Sequence, residues 1–232
     1  DAHWKTITAN VGLYTKAVIA AKAKGIVFDV EPYERFGENP WRFWTKDEQE
    51  LYPGKTLAEV EAKVRERGAQ FMNSLQREKP DITLLCAILL GTYRNETEHY
   101  FINKPERRTY ALLPAFVDGM LDVIGPKVTL VDGRITYQNL SGTYYFDDTR
   151  KFDFARDYVR GASEFISPEN REKYAEQVQV GQTAFADYVF GLLPENSLDG
   201  QLPSYYPTLS QEYREQWWEH NVYQALASTD QY

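Results

Sequence analysis

Apolar and polar positions fall into blocks along this chain, and the blocks follow two periods. Trp4, Ile7, Val11, Tyr14 and Val18 recur at three- and four-residue intervals, which predicts a helix with one buried stripe. Gly25 stops it and opens Gly25-Ile26-Val27-Phe28-Asp29-Val30-Glu31-Pro32-Tyr33, an apolar run closed by Pro32 that reads as a short buried parallel strand. A polar and aromatic passage over 34–55 follows, a length at which a connection inside a compact domain is usually functional. Thr56 and Glu59 form a capping box, and Leu57, Val60, Val64, Phe71, Met72 and Leu75 give the next helix its buried face.

The unit then repeats. Ile82 to Leu90 predicts a second strand, and Leu112, Leu113, Phe116, Val117, Met120, Leu121 and Ile124 a helix closed by Gly125-Pro126. Val128 to Val131 predicts a third strand ending at Asp132-Gly133, followed by a helix on Phe152, Ala155, Val159, Ala162 and Ile166. Ser167-Pro168 reads as N-cap and first position of one more helix, Val178 to Gln182 as a fourth strand, and a last helix from about Ser210 carries Trp218, Val222, Ala225 and Leu226. Strand and helix alternate at about 50 residues, so the expected fold class is α/β, with parallel strands and right-handed crossovers. A closed barrel needs eight such units in typically about 250 residues, more than this spacing allows. The expectation is therefore one domain over 1–232, a partial (β/α)8-type barrel, with an open doubly wound sheet as the alternative. No glycine-rich phosphate turn follows any predicted strand, which lowers the nucleotide-binding reading.

Composition narrows the partners. A net charge of −8 and a pI near 5.0 disfavour nucleic acid, and there is neither an apolar stretch of transmembrane length nor a signal-peptide pattern, so no membrane is expected. Cys86, the single cysteine, lies in an apolar run where it packs as a small hydrophobe; it says nothing of compartment. His3, His99 and His220 lack metal-ligand spacing, so no metal and no other cofactor are expected. The chain opens on Asp1 rather than Met and both begins and ends on a predicted helix, so the expectation is missing flanking chain or a homo-oligomer formed through free strand edges or through the last helix, where one indole of Trp217-Trp218 must point outward.

The candidate chemistry sits where the first strand ends. Side chains alternate across a strand, so Asp29 and Glu31 share a face, with Cβ atoms roughly 6.5 to 7 Å apart. In parallel α/β folds that end of the sheet is where catalytic groups collect. The alternative is structural, with Asp29 capping the next turn and Glu31 paired to Arg35 or Arg42. Asp132 ends another strand and is a candidate for the same mouth, or else an ordinary Asp-Gly turn residue. Glu96, Glu98, Asp147 and Asp148 are weaker candidates. Tyr33, Trp41, Trp44, Tyr93, Tyr137 and Tyr144 are candidate sugar-stacking rings, each open also to plain packing under a loop.

The segment Gly25-Ile26-Val27-Phe28-Asp29-Val30-Glu31 resembles the strand-4 signature of (β/α)8-barrel glycoside hydrolases. In the chitinase-like family the pattern is Asp-Gly-x-Asp-x-Asp-x-Glu; Gly25, Asp29 and Glu31 match it, and Lys24 and Val27 stand at its first two acids. Glu31-Pro32 is also similar to the Asn-Glu-Pro of the large glycosidase clan, with Val30 at the Asn and Gln182 in the region of its second Glu. The resemblance implies a carbohydrate substrate, Glu31 as proton donor and Asp29 as the neighbour that orients it and raises its pKa. A non-catalytic carbohydrate-binding relative is the rival expectation.

Overall fold

The computed structural model describes residues 2–31, 41–42, 52–95, 110–133, 150–182 and 210–230. Four strands, β1 (Gly25–Phe28), β2 (Thr83–Cys86), β3 (Thr129–Asp132) and β4 (Val178–Val180), form one sheet in the order β1-β2-β3-β4. Every pairing is parallel, and the register aligns Phe28 with Cys86, Cys86 with Asp132, and Asp132 with Val180. Among the described strands the order never reverses, so none of these crossovers creates the switch point of a doubly wound sheet.

Alternation divides the sheet into two faces. Ile26, Phe28, Leu84, Cys86, Leu130, Val178 and Val180 join the main core cluster, where Phe28 lies 4.7 Å from the Phe71 ring and 6.3 Å from Phe116. The other face carries the lateral row Val27, Leu85, Val131, Gln179. Val27 is 69% exposed, so β1 is a half-covered strand and not the fully buried one its apolar run predicts. The core residues above it all belong to the helix-facing set.

The helices are α1 (Ala2–Ala20), α2 (Leu57–Gln76), α3 (Leu90–Asn95), α4 (Leu113–Val123), α5 (Arg150–Gly161), α6 (Arg171–Gln177) and α7 (Gln211–Ser228). The start of α2 is the predicted capping box: Glu59 N–H donates to Thr56 Oγ1 at 3.3 Å, and Thr56 N–H donates to Glu59 Oε2 at 2.9 Å. Two glycines let α2 and α4 approach backbone to backbone. A Cβ on Gly68 would stand 2.0 Å from the Phe116 carbonyl oxygen, and one on Gly119 would stand 1.8 Å from that of Arg65.

Beside this crossing lies a polar cluster. Asp118, buried on α4, accepts from Ser167 Oγ at 2.7 Å and Asn170 Nδ2 at 2.8 Å, while Arg65 pairs with it at 3.2 Å and grips both Asp122 oxygens at 2.7 Å. Ser167 thus spends its hydroxyl on Asp118, and the predicted cap hydrogen bond is not made. The segment it opens is a 3-10 turn, Pro168–Asn170, before α6 begins.

Other boundaries differ from the sequence reading for clear reasons. The run Ile82 to Leu90 leaves the ladder after Cys86, and Leu90 starts α3, since an apolar run alone does not separate buried strand from buried helix. On α1 the buried positions are Gly12, Thr15 and Val18, and Tyr14 is 69% exposed. A 3.6-residue repeat from Trp4 through Val11 lands on residue 15, and Thr15 tolerates burial because its hydroxyl donates to Val11 O at 2.9 Å. On α7 it is Trp217 that is buried, with Ala225 and Ser228, whereas Leu226 is 64% exposed. Just beyond α7, Asp230 N–H donates to Val180 O at 3.0 Å, Val180 N–H donates to Asp230 Oδ2 at 2.7 Å, and Arg160 Nη2 holds both Asp230 oxygens at 2.6 Å.

Candidate functional site

Asp29 and Glu31 follow directly on the last paired residue of β1, at the C-terminal end of the sheet. Phe28 and Val30 turn into the core, and Val30 is only 4% exposed. Asp29 therefore falls in the alternate set with Val27, on the side away from the helices, and it is exposed while Glu31 is half-buried. Asp29 Oδ1 accepts the Glu31 backbone N–H at 2.9 Å, the turn-capping contact that an aspartate makes two residues ahead of itself. This bond orders the chain between the two carboxyl groups.

Trp41 fixes the same corner. Its indole N–H donates to Val30 O at 2.8 Å, its carbonyl accepts from Leu112 N–H at 2.9 Å, and its ring meets Phe116 edge-on at 5.6 Å. The residue thus ties the end of β1 to the start of α4. Tyr93, on α3, is 5% exposed and packs edge-on against Phe165 at 4.9 Å, so its ring faces are occupied by the core. Tyr33, Trp44, Tyr137 and Tyr144 lie outside the described residues, as do Arg35, Glu96, Glu98, Asp147 and Asp148.

Asp132 ends β3 but shares the lateral row of Phe28 and Cys86, which is the helix-facing set. It is 0% exposed, and its Oδ2 accepts the Gly91 N–H at 2.7 Å in the first turn of α3. Register thus puts Asp132 on the opposite face from Val27 and Asp29. Its charge reaches two interior groups. Burial pushes the Cys86 thiol far up, with the Asp132 carboxylate adding to the shift; burial likewise raises the Tyr174 phenol, whose O–H donates to Val159 O at 2.9 Å.

Two sets of polar residues escape a reading of the sequence. The first is the Arg65, Asp118, Asp122 and Asn170 cluster, signalled only by one acid, Asp118, inside an otherwise apolar helix face. Its groups satisfy one another, and it holds helices together. The second is Gln179, whose buried Oε1 finds no hydrogen-bond partner among the described residues and which stands in the row of Val27 on the face away from the helices. Nothing in a Val-Gln-Val strand announces it. Among the described residues no cluster of His, Cys, Asp and Glu has metal-holding geometry, and no helix is long and apolar enough to cross a membrane. Set against family models, curated proteins and solved structures, the chain matches none of them.

Proposed function

We propose that the end of β1 is the acid side of a glycoside hydrolase site, on an arc of a (β/α)8-type barrel, acting on a polysaccharide or oligosaccharide. Glu31 is the general acid in this reading and Asp29 the neighbour that holds its backbone. The observation that supports it is that both acids follow directly on β1 at the C-terminal end of the sheet, Asp29 exposed and Glu31 half-buried, with Asp29 Oδ1 accepting the Glu31 N–H at 2.9 Å. The sequential strand order supports the barrel frame, because neighbouring units of such a barrel follow one another in this way. Glu31 would protonate the leaving oxygen of the glycosidic bond, while a second carboxylate attacks carbon or activates water.

A second reading, a carbohydrate-binding protein without hydrolysis, draws on Asp132. The acid that ends β3 lies in the helix-facing row and serves Gly91, not the face of Asp29. Glu31→Gln separates the readings when binding and reducing-end release are measured on one panel of polysaccharides. Loss of at least about a hundredfold in turnover with binding kept supports the hydrolase. Binding by the wild type with no sugar released supports the second reading, and wild-type turnover in the variant removes Glu31 from the chemistry.

A further inference from the structure

At the β1 side of the sheet, Lys24 O accepts the Thr83 N–H at 3.2 Å, so Lys24 and its alternates Ile26 and Phe28 turn their peptide groups toward β2. Gly25 and Val27 therefore turn theirs outward, where no strand pairs with them among the described residues. The Val27 side chain is 69% exposed as well. The edge also lacks the usual protection: Gly25-Ile26-Val27-Phe28 holds no proline and no charge, and a bare apolar edge of this kind is a template for another strand.

Charge decides which strand fits. Two cations, Lys22 and Lys24, precede β1, and two anions, Asp29 and Glu31, follow it. A second copy laid alongside in the same direction sets like charges together. Laid antiparallel, it brings the cationic end of each copy beside the anionic end of the other, twice about one twofold axis. Neighbouring strands stand about 4.8 Å apart, inside the roughly 8 Å over which physiological salt screens such charges. The attraction rests on the summed charge of each end and not on any one ion pair.

We propose that β1 is a dimer edge, and that its partner is a second copy of this chain paired antiparallel with Val27 on the twofold axis. Residues that turn their peptide groups outward pair with one another, so Val27 exchanges both backbone hydrogen bonds with Val27 of the partner subunit, and Gly25 stands opposite Asp29 of the partner subunit. This register sets the two exposed valine side chains against each other on one face. Moving the axis to Ile26 would set each valine against Gly25, which has no side chain to cover it. So short an edge falls below the standard interface size, so the dimer is weak and reversible. The proposal stands on the open edge and not on the chemistry assigned to Glu31.

The test is sedimentation velocity of the full chain from about 10 μM to about 1 mM, at low and at high salt. Expected is a monomer–dimer equilibrium that weakens as salt rises. Val27→Lys, at a position exposed enough to accept it, sets two ammonium groups together on the axis and weakens the dimer about tenfold or more. Register is read separately by Val27→Cys. In a hydrogen-bonded antiparallel pair the Cα atoms stand about 5.5 Å apart, within the span of a disulfide, so mild oxidation links this variant into a covalent dimer. The control is Leu13→Cys on α1, where the native side chain is 62% exposed, and it links about tenfold more slowly or worse; the native Cys86 is buried. A monomer over the whole range overturns the proposal, as does association beyond a dimer. A dimer that Val27→Lys leaves unchanged, or a Val27→Cys that links no faster than Leu13→Cys, overturns it equally.

Discussion

Gly119→Ala adds one methyl group at the tightest point of the α2–α4 crossing, and the structure sets both the sign and the size of the effect. The new Cβ would meet Arg65 O at 1.8 Å and Ala69 N at 3.0 Å, where ordinary contact begins at 3.4 Å, so the helices must part by about 1.6 Å. The obstruction is backbone, which has no rotamer to escape into. Parting would also loosen Phe71, Met72 and Leu75 against Phe116, Val117 and Met120 in the main core. Overpacking of this kind costs typically about 1–3 kcal/mol, here toward the upper end. Alanine in place of glycine within a helix returns about 1 kcal/mol. The net is a loss of about 2 kcal/mol, or a fall in Tm of about 4–8 °C for a chain of this size. The control is Gly12→Ala on α1, where the new Cβ meets only Arg77 Nη2, at an ordinary 3.6 Å. There the helix propensity acts alone, and a gain of up to about 1 kcal/mol is expected. Thermal melts and urea midpoints of both variants measure the pair. If Gly119→Ala raises the midpoint as Gly12→Ala does, the close approach of α2 and α4 is wrong and the argument fails with it.

Three further outcomes follow from the interior and the helix layer. Asp132→Ala leaves the Gly91 N–H unpaired in the core and loses about 1–3 kcal/mol, while Asp132→Asn keeps an acceptor and loses less; unchanged melting of the alanine variant would remove the structural role. Cys86 is buried, with its thiol pKa raised by burial and by Asp132, so the native protein is inert to a disulfide reagent at mildly alkaline pH and reacts only on unfolding; prompt native labelling would contradict the burial. The Arg65 hydrogen bond holds the Asp122 carboxyl below its usual range. Its stabilisation is complete above the unfolded-state value of about 3.9 and is lost as pH falls through the lower folded value, so Arg65→Met flattens the acid limb of a urea-midpoint profile and leaves its upper limb in shape; identical acid limbs would remove this linkage.

Much of the fold is legible in the residue pattern because it rests on local physics. The Thr56 and Glu59 box, the Phe71, Met72 and Leu75 face and the Phe116 to Leu121 face are periodic over whole helices and appear where periodicity puts them. The misses occur where a neighbour distant in sequence decides. Tyr14 yields the buried stripe to Thr15 because a hydroxyl can satisfy itself on its own helix, and Trp217 takes the inward place next to Trp218 on a helix whose apolar residues mark no single face. At the candidate site, Asp29 and Glu31 stand just past the last residue of β1, and the Asp29 contact to the Glu31 N–H is the turn cap that the structural alternative expects. The face taken by Asp132 depends on the register of three strands, which no single segment encodes.

The clasp of Asp230 on β4 gives the sheet a direction for assembly. Copies stacked head to tail would ask β4 of one to pair with β1 of the next, in the sense of the internal ladder, and such a contact repeats without closing. Asp230 already occupies the Val180 amide and carbonyl, with Arg160 holding it in place. Among the described residues the outer edge of β1 pairs with no strand. Two such edges meet antiparallel about a twofold axis, a contact that consumes both and leaves nothing to extend. Among the described strands, association through a free edge is therefore steered toward a twofold pair of β1 edges, since Asp230 already covers Val180 on the opposite edge.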